Sequence, residues 1–324
     1  MSVLITGGMG AVGSAVARHL VNEGTETILY NRFEDHTLIN DIKDKVIFAA
    51  GDILDLEKLV ETIKKYDVKR IVHTAANYSK TKKLLKINTE GTVNVLWAAA
   101  KCEIERVVYT SSKAVYNEPK GRHGHPLYEP INEDYPKDEP MGFYGVTKLF
   151  GEQVGHQFYK NYGVDFVALR FSTIYGPGRL VKNPKAAMVI PCRIIENGML
   201  GKPFNYPKGR EQRDDYIYIK DVAYGISLAC FARDLTHRTF NIGTGVPSSL
   251  LDFAESVRKI YPDFEAEIGP GLDPIEIGFN CYNVYDISRA KGELGYRPQY
   301  NIDNGVADYI QAMRDLNIRP TWVE

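Results

Sequence analysis

The chain has 324 residues, of which 44% are hydrophobic and 25% are charged, a balance typical of a globular protein with a sizeable core. Its 40 basic residues almost cancel its 41 acidic residues, so the formal net charge is −1. Without a long-range positive field, neither nucleic acid nor an anionic membrane is expected as a partner.

The cysteines indicate a reducing compartment. Cys102, Cys192, Cys230 and Cys281 stand far apart, with no CxxC pair and no histidine at metal spacing, so we expect reduced thiols and no metal site. The chain opens on an apolar strand rather than a basic leader, and no run approaches the ~18 apolar residues of a membrane span. We expect a cytoplasmic protein that does not bind membranes.

In chain order, short β-rich runs alternate with segments of helical spacing. The helical segments include residues 53–66, 85–101 and 145–161. The strand-like runs are SVLIT, TILYN, KVIFAAGD, RIVHTA, RVVYTSS and DFVALRFS, with FNIG at 240–243. This alternation predicts an α/β fold, a doubly wound parallel sheet with helices on both faces.

The local composition of the sequence changes near residue 176, where proline- and glycine-rich loops begin. We expect residues 1–175 to form a dinucleotide-binding Rossmann domain, to which residues 212–247 return. Residues 176–211 and 248–324 are expected to form most of a smaller, loop-rich substrate-binding lobe. Such a lobe would cover the carboxyl edge of the sheet, where ligands of these sheets bind.

The motif TGGMGAVG joins the first strand to the first helix. In this context Gly7 allows a tight turn, Gly10 lets the backbone approach a pyrophosphate, and Gly13 allows close helix packing. Ala11 and Val12 begin the helix, whose N-terminal N–H groups can bind phosphate oxygens. The motif predicts dinucleotide binding.

The end of the second strand bears on the choice of cofactor. A carboxylate there would bond the ribose of NAD and repel a 2′-phosphate, but the sequence has Asn31 and Arg32. This pair slightly favours NADP over NAD. The alternative is that Arg32 is a solvent-facing loop charge and that Asn31 alone bonds the ribose of NAD. Further cofactor contacts are expected from Asp52, Ile53, Ala75 and Ala76.

A candidate proton relay lies in the segment FYGVTK, where Tyr144 and Lys148 are four residues apart on one helical face. A nearby ammonium is expected to lower the pKa of the tyrosine, which could then exchange a proton with a substrate hydroxyl. Ser112, at the end of the run RVVYTSS, could hold the substrate oxygen in line with this base.

Together these motifs resemble the extended short-chain dehydrogenase/reductase superfamily, in particular its NAD-dependent epimerase/dehydratase group. The resemblance covers nearly the whole chain. It is carried by TGGMGAVG, GDILD, HTAA, INTEGT, TSSKAVY, YGVTK, LRFSTIYGPG, QRDDYIYIKDV, FNIGTG and LGYRP.

The resemblance implies a catalytic set of Ser112, Tyr144 and Lys148, hydride transfer between a substrate carbinol and a nicotinamide, and a homodimer formed through a bundle of helices. It adds Asn88 and Thr110 to the cofactor site, which Tyr144 and Lys148 also border. The residues expected to contact a sugar-like substrate are Tyr78, Ser112, Lys113, Thr173, Arg179 and Arg213.

Departures from the family pattern bear on the substrate. Dehydratases of the group carry an Asp-Glu pair after the catalytic hydroxyl residue, whereas this chain has Lys113 and Ala114, so dehydration is not expected. Members acting on nucleotide sugars usually have asparagine where this chain has Thr173, and an arginine-containing turn where residues 269–273 read GPGLD. Arg213, in contrast, favours a nucleotide-sugar ligand.

Three functions therefore remain open. One is epimerisation of a nucleotide sugar, and another is one-way oxidation or reduction of a smaller polyhydroxy or carbonyl substrate. The third, a non-catalytic redox-sensing protein, is disfavoured because all three catalytic residue types are retained. The connection over 117–143 is longer than the resemblance leads us to expect, and its histidines are expected to be loop residues rather than metal ligands.

Overall fold

The computed structural model describes residues 1–78, 82–182 and 189–321. Within these ranges the strands are β1 Ser2–Thr6, β2 Glu26–Asn31, β3 Ile47–Ala50, β4 Arg70–His73, β5 Arg106–Ser112, β6 Phe166–Phe171, β7 Thr173–Tyr175, β8 Phe204–Tyr206, β9 Arg213–Tyr218, β10 Thr239–Ile242, β11 Pro247–Ser249 and β12 Ala266–Ile268. The α-helices of the same ranges are α1 Ala11–Asn22, α2 Leu56–Lys65, α3 Lys82–Lys86, α4 Thr92–Lys101, α5 Gly142–Tyr162, α6 Arg179–Lys182, α7 Ile190–Met199, α8 Ile219–Phe231, α9 Leu250–Arg258 and α10 Ile302–Asp315.

The main sheet of the described chain has seven parallel strands in the order β10–β6–β5–β4–β1–β2–β3. The chain runs outward from β1 to β3, then crosses back to β4 and continues outward to β10. The direction of winding therefore reverses between β1 and β4, and the carboxyl ends of these strands border the crevice in which doubly wound sheets bind ligands. This confirms the predicted fold class.

Helices cover both faces of the main sheet, because its strands are apolar on both sides. On one face, Val16 and Leu20 of α1 share a buried cluster with Ile226 of α8. On the other face, Leu59 of α2 and Leu96 of α4 belong to a second buried cluster, which also includes residues of α5. The sheet is therefore the middle layer of a three-layer structure.

A smaller region adjoins the carboxyl edge of the main sheet. Its strands form a three-stranded sheet, β11–β9–β7, and a two-stranded sheet, β12–β8. Ile194 of α7, Phe253 of α9 and Tyr309 of α10 share one buried cluster in this region. Within residues 212–247, β10 joins the main sheet and α8 covers it, whereas β9 belongs to the smaller sheet.

Three of the predicted helices differ in extent or in internal geometry from the sequence-based expectation. The helix expected from residue 53 begins at Leu56, because the Asp55 carboxylate accepts a hydrogen bond from the Lys58 N–H at 2.9 Å and caps the helix. The next expected helix contains a π-helical turn over Ile87–Gly91. The helix that carries the candidate base is longer than expected and starts at Gly142.

Among the described residues, no helix is both long enough and apolar enough to cross a membrane. The same part of the chain holds no group of three or more His, Cys, Asp or Glu side chains arranged to bind a metal ion.

A buried ion pair joins α5 to the main sheet. The Arg170 guanidinium of β6 donates two hydrogen bonds to the Glu152 carboxylate of α5, at 2.9 and 2.6 Å. Ser111 of β5 donates a third, at 2.5 Å. The side chains of Arg170 and Glu152 are only 5% and 1% exposed, so the pair is shielded from water.

We expect Glu152→Ala to lower the free energy of unfolding by about 3–5 kcal/mol, because it leaves the buried Arg170 charge unpaired. Urea denaturation followed by circular dichroism measures this. The control is Asp303→Ala, which breaks the exposed Lys259–Asp303 pair and is expected to cost no more than about 1 kcal/mol. Equal losses in the two variants would contradict the assigned role of the buried pair.

Candidate active site

The glycine turn after β1 has the shape of a phosphate cradle. Gly7 has a φ of 71°, a left-handed conformation that favours glycine. A Cβ on Gly13 would lie 2.4 Å from the Gly7 carbonyl oxygen, so only glycine lets α1 approach this turn. Gly10 is the N-cap of α1 and provides no side-chain cap. The first N–H groups of α1, at Ala11, Val12 and Gly13, thus fit a pyrophosphate.

The expected adenosine-binding residues follow β2, β3 and β4. Asn31 ends β2, and its side-chain amide donates to the Phe33 carbonyl at 2.9 Å. Arg32 is exposed, with its guanidinium carbon 5.7 Å from the centre of the Phe33 ring. Asp52 accepts a hydrogen bond from the Leu54 N–H at 3.0 Å. Ile53 is buried, and Ala75 and Ala76 are half-buried.

The candidate catalytic residues belong to the start of α5 and to the end of β5, two segments that lie against each other. A Cβ on Gly145 would lie 2.0 Å from the Ala114 carbonyl oxygen, so the first turn of α5 rests directly on the turn that follows Ser112. Lys148, one helical turn later, donates to the Thr110 carbonyl of β5 at 2.6 Å. Its ammonium lies 5.7 Å from the centre of the Tyr144 ring.

The pKa of Tyr144 differs from the sequence-based expectation. The pKa is raised well above its ordinary value rather than lowered. Burial of the side chain is the main cause, and the neighbouring Tyr78 raises the pKa further. The Tyr78 and Tyr144 rings lie 4.8 Å apart between centres. Burial also lowers the pKa of Lys148 to about 7, which weakens this lysine as a source of positive charge near neutral pH. The expected depression of the Tyr144 pKa by Lys148 was therefore wrong for this structure.

Lys113 and Thr173, both expected to contact substrate, meet at one buried carboxylate. The Lys113 ammonium lies 2.8 and 2.6 Å from the two carboxylate oxygens of Asp214. The Thr173 hydroxyl donates to the same carboxylate at 2.5 Å. Asp214 was not among the expected site residues, and only the contact between β9 and the end of β5 reveals it.

The two arginines expected to contact substrate lie in different environments. Arg179 begins α6, and its charge acts on Tyr144 in the direction of a lower pKa. Its buried Nε has no hydrogen-bond partner among the described residues. Arg213 is exposed and donates to the Pro247 carbonyl at 3.4 Å. Because strand residues alternate in direction, Arg213 lies on the face of β9 opposite the buried Asp214. Only Arg179 lies near the candidate base.

Asn88 and Thr110 hold the loop after β4 and the neighbouring strands in position. The Asn88 amide accepts from the Asn77 N–H at 2.8 Å and donates to the Asn77 carbonyl at 3.0 Å. It also donates to the Thr147 hydroxyl of α5 at 3.1 Å. The Thr110 hydroxyl donates to the His73 carbonyl of β4 at 2.9 Å. These contacts place both residues beside the crevice, as supports of its wall.

Asp215 is a second residue of this region that sequence reasoning missed. Its carboxylate accepts hydrogen bonds from the backbone N–H groups of Thr244, Gly245 and Tyr285, at 2.8, 3.0 and 3.3 Å. It thus joins β9 to the loop after β10 and to the 281–285 segment. The acidic pair in QRDD was visible in the sequence, but its partners lie far away along the chain.

The long 117–143 connection is packed against the rest of the molecule. Ile131 pairs with Tyr285 in an isolated parallel bridge, and the Glu133 carboxylate accepts from the Asn241 N–H at 2.8 Å. His123 contacts the Glu129 carbonyl through Nδ1 at 2.8 Å. This histidine is therefore a loop residue with a protein partner.

Comparison with known protein families shows the family to which the chain belongs. A model of the NAD dependent epimerase/dehydratase family matches residues 3–243. The chain belongs to this family. The match includes the glycine turn and the candidate catalytic residues, so the resemblance inferred from the motifs is confirmed.

Individual relatives are similar over nearly their whole length. A UDP-glucose 4-epimerase from Lactobacillus helveticus is 28% identical, over 95% of this chain and 95% of the relative. The solved UDP-glucose 4-epimerase of Thermotoga maritima with UDP-glucose matches with a TM-score of 0.84 at 22% identity, covering 97% of this chain and 99% of its own.

A third similar protein is UDP-glucuronic acid 4-epimerase from Bacillus cereus, solved in complex with UDP-glucuronic acid and NAD. It matches with a TM-score of 0.80 at 24% identity, and the match covers 98% of this chain and 100% of the other. At these identities the two solved structures establish the fold that this chain shares with them.

We expect Tyr144→Phe to lower the turnover rate by ~10²–10⁴, because only the ionisable oxygen is lost. Binding of the cofactor, measured by fluorescence titration, is expected to remain nearly unchanged. Tyr162→Phe, which alters an exposed tyrosine at the other end of α5, is the control and should keep full activity. A Tyr144→Phe variant that keeps more than half of the original rate would remove Tyr144 from the catalytic role.

Proposed function

We propose that this protein is an NAD-dependent epimerase that inverts a carbinol carbon of a nucleotide-linked sugar, with C4 of a hexose as the reacting centre. The observation that supports the proposal is the close contact of the first turn of α5, which carries Tyr144, with the turn that follows Ser112, together with the hydrogen bond from Lys148 to the Thr110 carbonyl. The similarity to nucleotide-sugar 4-epimerases over almost the whole chain supports the choice of substrate.

In this proposal Ser112 and Tyr144 act on the hydroxyl of the reacting carbon. The Ser112 hydroxyl hydrogen-bonds the substrate oxygen, and the Tyr144 oxygen accepts its proton and later returns it. When bound, NAD supplies the hydride acceptor, and its positively charged nicotinamide ring favours the phenolate. Lys148, which donates to the Thr110 carbonyl, places its amino group 5.7 Å from the centre of the Tyr144 ring.

The proposal extends to the groups that would hold the rest of the substrate. The Tyr78 ring lies 4.8 Å from the Tyr144 ring between centres and Arg179 lies near Tyr144, so both can border the sugar and its phosphates. Arg213 faces solvent and would reach a ligand only at the outer rim.

Dehydration is not part of the proposed activity. Elimination of water requires a general acid beside the substrate, but Ala114 is apolar and Lys113 is paired with Asp214. The two positions after Ser112 thus provide no free carboxylic acid.

Incubation of the protein with NAD and UDP-glucose is expected to give UDP-galactose until equilibrium is reached, with no build-up of reduced cofactor. Product stereochemistry is read by NMR and the cofactor by absorbance. Tyr144→Phe should give neither UDP-galactose nor reduced cofactor. Accumulation of reduced cofactor with an oxidised sugar, and no epimer, would contradict epimerisation and support the one-way dehydrogenase that the sequence left open.

We further propose that the adenosine pocket accepts NADP as well as NAD, through Arg32. Arg32→Ala is then expected to weaken NADP by roughly tenfold to a hundredfold, since a charge-assisted hydrogen bond contributes ~1.5–3 kcal/mol, and to leave NAD almost unchanged. Asn31→Asp should likewise shift the preference toward NAD, because the new carboxylate would repel the 2′-phosphate of NADP. Calorimetric titration of both cofactors measures this. Equal losses for NAD and NADP would show that Arg32 is a solvent-facing charge.

We also propose a homodimer formed through α5. Phe143, Val146 and Phe150 are 70%, 48% and 38% exposed and follow one another at helical spacing, so they form an apolar stripe on one face of this helix. A two-fold axis would pair the stripe with its copy in a second chain.

Phe150→Asp is expected to convert the dimer to a monomer, because a second copy would then bury an unpaired carboxylate. Sedimentation velocity measures the change in mass. Leu200→Asp is the matched control, since Leu200 is also 38% exposed but lies after α7, and it should leave the dimer intact. A monomeric unmodified protein at micromolar concentration would overturn the proposal.

A further inference from the structure

The Lys113–Asp214 ion pair joins the catalytic turn to the smaller sheet. Lys113 follows Ser112, and its side chain is only 4% exposed, while that of Asp214 is 1% exposed. The carboxylate is well satisfied, because Thr173 and the Asn283 N–H also donate to it, at 2.5 and 3.2 Å. The ammonium has three N–H groups, so at most two are taken by the carboxylate oxygens at 2.8 and 2.6 Å.

The surroundings of the pair border the catalytic turn. The Tyr282 ring centre lies 5.8 Å from the Lys113 ammonium. Tyr282 is buried in a small apolar cluster with Met141, and Ala114 packs against that cluster. Met141 in turn donates its N–H to the Ala114 carbonyl at 2.8 Å, one residue before α5 begins. The ion pair therefore lies at the side of the site where Ser112 and Tyr144 meet.

A sugar held by Ser112 would bring a neighbouring substituent toward this pair. Consecutive Cα atoms are about 3.8 Å apart, less than the width of a substituted hexose. With the reacting oxygen at Ser112, we therefore place the group on the adjacent ring carbon on the side of the site that Lys113 occupies. For a hexose that reacts at C4, one such group is the C6 substituent, which is a hydroxymethyl in glucose and a carboxylate in glucuronate.

We propose that the Lys113–Asp214 pair makes the site selective for an uncharged hydroxymethyl over a carboxylate at this position. The inference rests on the proposed function. The pair is neutral as a whole, so a substrate carboxylate beside it would lose its water without meeting a free positive charge on Lys113. It would also face the Asp214 carboxylate, or draw Lys113 away and leave that carboxylate buried and unpaired. A hydroxyl can accept from the remaining N–H group without either cost.

Asn283 provides an independent sign that this cluster takes an uncharged polar group. Its side chain is fully buried, and neither its amide nitrogen nor its amide oxygen has a hydrogen-bond partner among the described residues. Its backbone N–H is bound to Asp214. The nitrogen of such an amide needs an acceptor and its oxygen needs a donor; a hydroxyl or a water molecule can serve as either, whereas a carboxylate can only accept.

The test compares UDP-glucose with UDP-glucuronate, using kcat/KM for turnover and calorimetry for binding. The unmodified protein is expected to prefer UDP-glucose by at least about tenfold, the scale of one charge-assisted contact. Asp214→Asn frees the Lys113 charge and should shift the ratio toward UDP-glucuronate by roughly tenfold to a hundredfold. Lys113→Gln leaves Asp214 unneutralised and should shift the ratio in the opposite direction.

Shifts of opposite sign separate selectivity from damage to the fold, because a purely structural pair would weaken both ligands alike. If one variant does not fold, the other still tests the proposal. Asp165→Asn is the control: it removes the carboxylate paired with Arg106 at the amino ends of β5 and β6 and should leave the ratio unchanged.

An unchanged ratio in either folded variant, or an unmodified protein that prefers UDP-glucuronate, would overturn the proposal. The binding measurements keep it distinct from the proposed function. If the two ligands bind with the expected ratios but are not epimerised, the proposed reaction fails and the selectivity stands.

Discussion

The close contact between the first turn of α5 and the turn after β5 is the constraint on which the active site depends. A Cβ on Gly145 would lie 2.0 Å from the Ala114 carbonyl oxygen, and the Met141 N–H donates to that same oxygen at 2.8 Å. Ala114 is two residues from Ser112, and Gly145 follows Tyr144, so one backbone contact sets the position of both side chains. Catalytic geometry here comes from main-chain packing, and Lys148 extends it by one helical turn along β5.

The substrate side of the crevice depends in turn on one short strand. Asp214 and Asp215 of β9 are consecutive and therefore point to opposite faces, yet both are buried. Asp214 holds the catalytic turn through Lys113, and Asp215 holds the loop after β10 through the N–H groups of Thr244 and Gly245. The strand thus joins the main sheet to the smaller region, and the protein itself pairs both of its acidic side chains.

The fold could be predicted from the sequence, and the candidate catalytic residues could be proposed from it, because their signals are local. The glycine turn, the strand–helix alternation and the four-residue spacing of Tyr144 and Lys148 each lie within one or two elements. The Lys113–Asp214 pair spans 101 residues and has no local signal. The raised pKa of Tyr144 could not be predicted either, since it follows from burial and from the Tyr78 ring. The exposed position of Arg213 could not be predicted either, because a shift of one residue in the position of the strand moves each side chain to the opposite face of the sheet.

In the proposed epimerisation, the hydrogen that leaves the reacting carbon as hydride returns to that same carbon on the opposite face, while Tyr144 exchanges only the hydroxyl proton. The most direct measurement uses UDP-glucose carrying deuterium at C4, followed by NMR of the product. The account predicts UDP-galactose that retains the deuterium at C4, in ordinary water and without loss over many turnovers. Replacement of that deuterium by solvent hydrogen would contradict it, because the inversion would then proceed by proton abstraction from carbon.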